Sequence, residues 1–569
     1  MIKRSSILLF LLVLGTALLF SQESGKDNQL RNLVREFRQA KVSIPYPGLN
    51  AIDIITSKVS IIAVKDKKVL INISPRTLDW FISQKFDYII LEKPDYKGVI
   101  SAESVKEAMD WQSYPTYNQY DSIMQHFVAT YPDLCHLDTI GTSINGKLVF
   151  ALKISDNAGA DEDEPEVFYS STMHGDETGG FVLMLRLADY LLNNYNTDSR
   201  IKNLVDNLEI WINPLANPDG TYASGNAITY PTRENANGVD LNRNFPDPFQ
   251  PFEIQEKENR DMIKFMRNRK FVISANFHSG VEVVNYPWDR WLSKIHADDI
   301  WFNSISRAYA DTVHVYSVPA YMDYLDNGVT RGAVWYIIYG GRQDFVTWEL
   351  HGREVTIELD DAYVTPAAQL ELLWQYNRRS LLGYLENAMY GIHGVVSDLH
   401  TSLPVPAKVY IAGHDKDSSQ VYSDTLTGRF TRFLSPGSWS LSFSAKGYQD
   451  TTLNDIIVIT GQKTDLSVEM RSVSSNIDTP IPETPVLYPN PASFLMKVIL
   501  PGKLAGTVNI KIISHSGLKV VDYNKVFESG SPMEIDITGL SAGGYTIIFT
   551  NTHSGVSCSG RFIITGRSL

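Results

Sequence analysis

The chain has 569 residues but only two cysteines, Cys135 and Cys558. They read as lying in different domains, which excludes a disulfide framework. Neither sits in a nucleophile motif, so both read as small buried apolar residues. Clusters of lysine and arginine are also missing, and the formal net charge is −13. A surface that tracks a phosphate backbone needs such clusters, so nucleic acid is excluded as a partner. Long hydrophobic runs are scarce. The one candidate, Ile7 to Phe20, follows a short basic start and precedes Ser21-Gln22-Glu23-Ser24. That order predicts a secretory leader over residues 1–22 and a mature protein without a transmembrane anchor.

What is present is ordinary globular composition, 43% hydrophobic and 20% charged, at a length that calls for several domains. Residues 23–110 contain a helical segment, Gln29 to Ala40, and two alternating apolar runs, Val59 to Val64 and Lys68 to Ile73. A turn at Lys65-Asp66-Lys67 makes these a hairpin, and Phe86 to Leu91 reads as a further strand. This small α+β unit is expected to be a propeptide. From residue 111 to 390, strand-like runs (Glu166 to Ser170, Leu208 to Ile212, Phe271 to Asn276) alternate with helical ones. That alternation predicts an α/β domain with a mixed central sheet flanked by helices. Its site is expected beyond the carboxyl ends of strands. Short strands with Gly, Pro and Asp between them predict an all-β sandwich over 391–471. A proline-containing linker follows over 472–485, then a second all-β sandwich over 486–569.

Chemistry first shows at Met173-His174-Gly175-Asp176-Glu177, directly after a predicted strand. Imidazole nitrogen plus carboxylate oxygen suits a catalytic zinc with one open position. His and Glu three apart on a turn into a helix point toward one spot, although such a pair alone recurs by chance in many chains. Further motifs follow in order: Asn213 to Gly220, Arg233, Gly238 to Asp247, Asn276 to Gly280, and Glu354 to Leu359.

This ordered set resembles the zinc carboxypeptidases, in particular the regulatory branch containing carboxypeptidases N, E, M and D. The resemblance implies that His174, Glu177 and His278 hold one Zn²⁺ per catalytic domain, with Glu358 as general base and Arg233 stabilising the oxyanion. It implies further that Asn242 and Arg243 grip the terminal carboxylate of a peptide or protein substrate, and that Asp240 orients His174. A planar guanidinium suits a carboxylate, and a second carboxylate suits a ligating imidazole. In the same branch, Asp289 and Gln343 would face the substrate's last side chain and favour Lys or Arg. Counting back from Glu358, the family's substrate-contacting tyrosine falls on Thr347. Altered substrate binding with catalysis retained is therefore expected, with Tyr336 or Tyr339 as nearby substitutes.

The module at 391–471 resembles the transthyretin-like sandwich that follows such catalytic domains. Leu487-Tyr-Pro-Asn-Pro491 and Leu540 to Tyr545 resemble the C-terminal sorting domain of type IX secretion, implying that machinery as a partner and a secreted or cell-surface location. The same zinc chemistry would also serve a peptidase or amidase acting on cell-wall peptides. The departure at Thr347 alone suggests a non-catalytic surface binding protein.

Overall fold

The computed structural model describes residues 25–91, 98–249, 254–473, 484–490, 492, 495–514, 518–528 and 532–564. The expected leader and most of the expected linker lie outside these residues.

The N-terminal unit is an antiparallel sheet of β1 (Ala40–Pro45), β2 (Ser60–Lys65), β3 (Lys68–Ile73) and β4 (Ile89–Ile90), in the order β2-β3-β1-β4. Asp66 and Lys67 both take positive φ, 53° and 57°, which a two-residue hairpin turn requires for its strands to keep their twist. The first helix stops at residue 37 and does not reach Ala40, which instead opens β1. Arg38, at φ 60°, turns the chain between them. Ile61, Ile71 and Val42 share one apolar cluster with Val283, Trp335, Tyr336 and Ile338 of the following region. The unit is therefore packed onto the next domain by its own core.

The central sheet has eight strands: β5 (Cys135–Thr142), β6 (Leu148–Ile154), β7 (Glu166–Ser171), β8 (Glu209–Asn213), β9 (Phe271–His278), β10 (Val281–Tyr286), β11 (Val329–Arg331) and β12 (Arg353–Asp360). Their order is β11-β10-β12-β9-β7-β8-β6-β5. β8, β7, β9 and β12 run parallel, while β6 pairs antiparallel with β5 and β8 and β10 pairs antiparallel with β12 but parallel with β11, so the sheet is mixed as expected. Burial on both faces explains why β7 and β8 read as continuous apolar runs. The helix Gly179–Asn194 covers one face; its glycine start fits tightly, since a Cβ on Gly180 would lie 2.2 Å from Ser171 Oγ.

Two all-β modules follow. In the first, a three-stranded and a four-stranded sheet close over Ile392, Leu441, Phe443 and Val468. In the second, sheets of three and four strands close over Val508, Ile510, Ile535 and Phe549. Among the described residues, no helix is long and apolar enough to cross a membrane.

The first β module is fastened to the catalytic region by a buried charge cluster. Asp298 accepts from Arg353 Nη2 at 2.8 Å and from Arg432 Nη2 at 3.0 Å, and lies 2.9 Å from His414 Nε2. Burial alone would raise the Asp298 carboxyl, but Arg432 and Arg353 outweigh it and hold it well below the usual range. Trp301 stacks on Phe433 beside the cluster, with ring centroids 4.9 Å apart. Removing one partner of such a group leaves buried charge under-compensated. Arg432→Ala is expected to cost about 3 kcal/mol, read as a lower calorimetric transition temperature for the catalytic region; an unchanged transition would refute the fastening role.

Candidate metal centre and substrate cleft

The site forms where parallel strands end. β7 runs into Thr172, which takes φ 60°, an uncommon conformation for a β-branched residue. Its carbonyl accepts from Asn217 N at 3.1 Å and its hydroxyl donates to Pro214 O at 3.2 Å, which hold the bend. The next turn presents His174 and Glu177. Gly175 lies directly against Gly220, where a Cβ would stand 2.3 Å from the Gly220 carbonyl carbon, so no side chain fits. Asn217 Nδ2 donates to Met173 O and Arg233 O, and Gly175 N donates to Arg233 O, joining the ligand turn to the arginine loop. His278 is the last residue of β9 and sits in register with Glu358 on β12.

His174 Nε2 lies 3.0 Å from Asp240 Oδ1 and donates to it, which leaves His174 Nδ1 as an acceptor. That nitrogen is 2.8 Å from Glu177 Oε1 and 3.0 Å from His278 Nδ1, while His278 Nδ1 is 2.7 Å from Glu177 Oε2. A neutral His174 that donates to Asp240 offers only a lone pair here, and a divalent cation satisfies it together with His278 Nδ1 and the Glu177 carboxylate. A His₂Glu set with room left for a fourth ligand suits zinc. Burial pushes His278 down to about 4, keeping it in the neutral form that ligates. Burial pushes Glu177 up, but His174 and His278 outweigh it and hold its carboxylate well below the usual range.

Arg233 is 4% exposed and spans the centre, with Nη1 on Glu177 Oε1 at 2.9 Å and Nε on Asp240 Oδ2 at 3.0 Å. Asn242 N donates to Asp240 Oδ1, and Arg342 N donates to Asn242 Oδ1. Arg243 donates through Nη1 to Asn242 O at 2.9 Å and through Nη2 to Ile61 O of the N-terminal unit at 3.0 Å. Asp289 Oδ1 accepts from Asn285 Nδ2 and Gln343 Nε2, each at 3.0 Å. Burial pushes the Asp289 carboxyl up to about 6. Burial, then the charge of Glu177, push Glu358 well above the usual carboxylate range. All the sequence-predicted site residues thus gather at one place: His174, Glu177, Arg233, Asn242, Arg243, His278, Asp289 and Glu358 line a single cleft, with Asp240 and Gln343 bonded to its walls.

Thr347 is the exception. It lies in the helix Arg342–Glu349, is 0% exposed, and is not part of the cleft wall. The phenol expected there is instead present in the cleft as Tyr336. Tyr336 was one of the two nearby substitutes the sequence offered; the other, Tyr339, does not line the cleft. Asn217, Asn285 and Asp344 were also missed. Asp344 accepts from the backbone N–H of Asp289 and of Arg290 at 3.0 and 2.9 Å.

The fold and the His₂Glu set are those of a metallohydrolase. Residues 120–380 match the peptidase M14 zinc carboxypeptidase family, and residues 486–565 match the secretion system C-terminal sorting domain. Carboxypeptidase SOL1 of Arabidopsis thaliana is 33% identical over 357 residues, covering 60% of this chain and 69% of that protein. The carboxypeptidase N catalytic chain of Rattus norvegicus is 32% identical over 382 residues, covering 59% and 82%. Carboxypeptidase D of Homo sapiens is 33% identical over 373 residues, covering 63% of this chain but 26% of that protein. The chain belongs to the zinc carboxypeptidase family. It is an enzyme of that class, and its C-terminal module is a type IX sorting domain that directs export to the cell surface or beyond.

Asp240 fixes the tautomer of a ligand and also holds Arg233. Asp240→Asn is expected to weaken zinc affinity by about 10- to 100-fold, measured by competition with a chromogenic chelator. An affinity equal to that of the parent chain would remove Asp240 from the metal's support.

Proposed function

We propose that this chain is a secreted exopeptidase that removes one C-terminal residue, preferably Lys or Arg, from extracellular peptides and proteins. The observation that carries the reading is the single cleft lined by the His174–Glu177–His278 set, Glu358, Arg243 and Asp289. When bound, one zinc at the His₂Glu set supplies Lewis acidity, lowering the pKa of water from 15.7 toward about 7 and polarising the scissile carbonyl.

The chain's own residues do the rest. Arg243, with Asn242, holds the substrate's terminal carboxylate in the fork of its guanidinium. Asp289, positioned by Asn285 and Gln343, faces the last side chain and favours a cation there. Glu358 accepts the proton of the attacking water and passes it to the leaving amine as the C–N bond breaks, giving a shortened peptide and a free amino acid. Its raised pKa suits a group that must both take and return a proton. Arg233 faces the developing oxyanion, and such a preorganised donor is worth about 3 kcal/mol. Tyr336 contributes the phenol whose place the sequence put at Thr347.

Residues 111–390 form the catalytic domain and 391–471 a transthyretin-like domain. Residues 23–110 act as a propeptide, and Ile61 O on Arg243 Nη2 supports this, because a backbone carbonyl occupies the fork that substrate needs. Asn72 Nδ2 on both oxygens of buried Glu234 supports the same docking.

Glu358→Gln is expected to lower kcat by at least about 10²-fold on a peptide ending in Lys, with zinc content unchanged; full activity would reject Glu358 as base. The Lys-over-Leu preference at the C-terminus depends on ionised Asp289. It is expected to be present above pH about 6 and to fall as pH drops below it, because protonation removes the charge. Profiles of kcat/KM against pH for two peptides, on the parent and Asp289→Ala, check this. A preference that Asp289→Ala keeps would overturn the pocket assignment.

A further inference from the structure

Asp176 lies between two metal ligands in sequence, is 1% exposed, and has no part in the chemistry above. Among the described residues its side chain receives one hydrogen bond, from Lys41 Nζ of β1 to Oδ2 at 3.1 Å. The other oxygen, Oδ1, is buried without a partner. The same ammonium stands 3.1 Å from the ring centroid of Tyr363. One cation is thus held between a carboxylate and an aromatic face, the two groups that bind cations best when water is excluded.

The walls of this cage are rigid and belong to the catalytic region. Tyr363 packs on Gly280, where a Cβ would stand 2.5 Å from its Cε1, and Tyr363 O accepts from Thr178 N at 3.1 Å. Gly280 follows His278 by two residues and Asp176 precedes Glu177, so the cage keeps a fixed distance from the metal ligands. Only its occupant, Lys41, comes from the N-terminal unit. Gly280 lines the cleft beside His278 and Glu177, so the cage adjoins the cleft on the side of the metal set.

We propose that Asp176 and Tyr363 form a cation-binding subsite for an arginine or lysine side chain upstream of the scissile bond, which Lys41 fills in cis. The proposal rests on the exopeptidase reading. A peptide whose last residue sits at Arg243 and Asp289 leads its scissile bond to the metal set, and the cage adjoins the cleft on that side. The unpartnered Oδ1 adds a ranking. An ammonium is a point charge and uses one oxygen, while a guanidinium can take both. Arginine is therefore preferred to lysine.

The test uses the full chain, folded, loaded with zinc and then cut at a protease site placed within residues 92–97. Peptides all ending in Lys carry Ala, Glu, Lys or Arg at each of the two positions before the scissile bond. At one position kcat/KM is expected to rank Arg, Lys, Ala, Glu, with Arg over Ala by about tenfold. Asp176→Asn is expected to bring that ratio to about one. Tyr363→Leu, which leaves every carboxylate in place, is expected to reduce it about threefold and keeps the proposal testable where Asp176→Asn does not fold. Asp289→Ala should change the C-terminal preference and not this ratio. Equal rates for Arg and Ala at both positions, or a ratio that survives both cage variants, would overturn the subsite while leaving the exopeptidase reading intact. Turnover of no peptide by a zinc-loaded chain would instead overturn that reading, and the subsite with it.

Discussion

Two imidazole nitrogens and one carboxylate meet in the core of this protein, an arrangement that a divalent cation satisfies. His174 Nδ1, His278 Nδ1 and the Glu177 carboxylate converge, and the bond from His174 Nε2 to Asp240 removes the proton that could have eased the arrangement. Close-set lone pairs in a buried site are costly without a cation between them, and the frame allows them no retreat. The frame is backbone against backbone at Gly175 and Gly220, with the Thr172 bend behind them. Arg233 serves the same balance, since its one guanidinium faces both the ligand carboxylate and the one that orients the histidine.

The cleft built around this centre is closed by the N-terminal unit in two ways. An apolar cluster gives area, and a few polar contacts give register: Arg243 to Ile61 O, Asn72 to Glu234, and Lys41 to Asp176. Of the groups these contacts meet, Arg243 lines the cleft, while Glu234 and Asp176 are buried outside its wall.

Much of the centre was legible because its residues sit in short motifs at strand ends, where the strand determines direction and the turn determines spacing. His174 and Glu177 needed three-residue spacing, and Arg233, Arg243, His278 and Glu358 needed only their order. Contacts made by single residues far apart were not legible. No local pattern ties Lys41 to Asp176, or Asp298 to Arg353 and Arg432. The strand Ala40–Pro45 was missed because a helical reading of Gln29 to Ala40 ran across the turn at Arg38. Tyr336 and Tyr339 could not be told apart in sequence, and only the fold puts Tyr336 in the cleft wall.

Arg353 begins β12, the strand that carries Glu358 at its other end. Its guanidinium donates to Asp298 and also to Ser419 O, a backbone carbonyl of the first β module. The strand bearing Glu358 is therefore moored by a module that stands outside the cleft. Anyone seeking the smallest active fragment by cutting near Tyr390 would take away that mooring, and Arg432 with it.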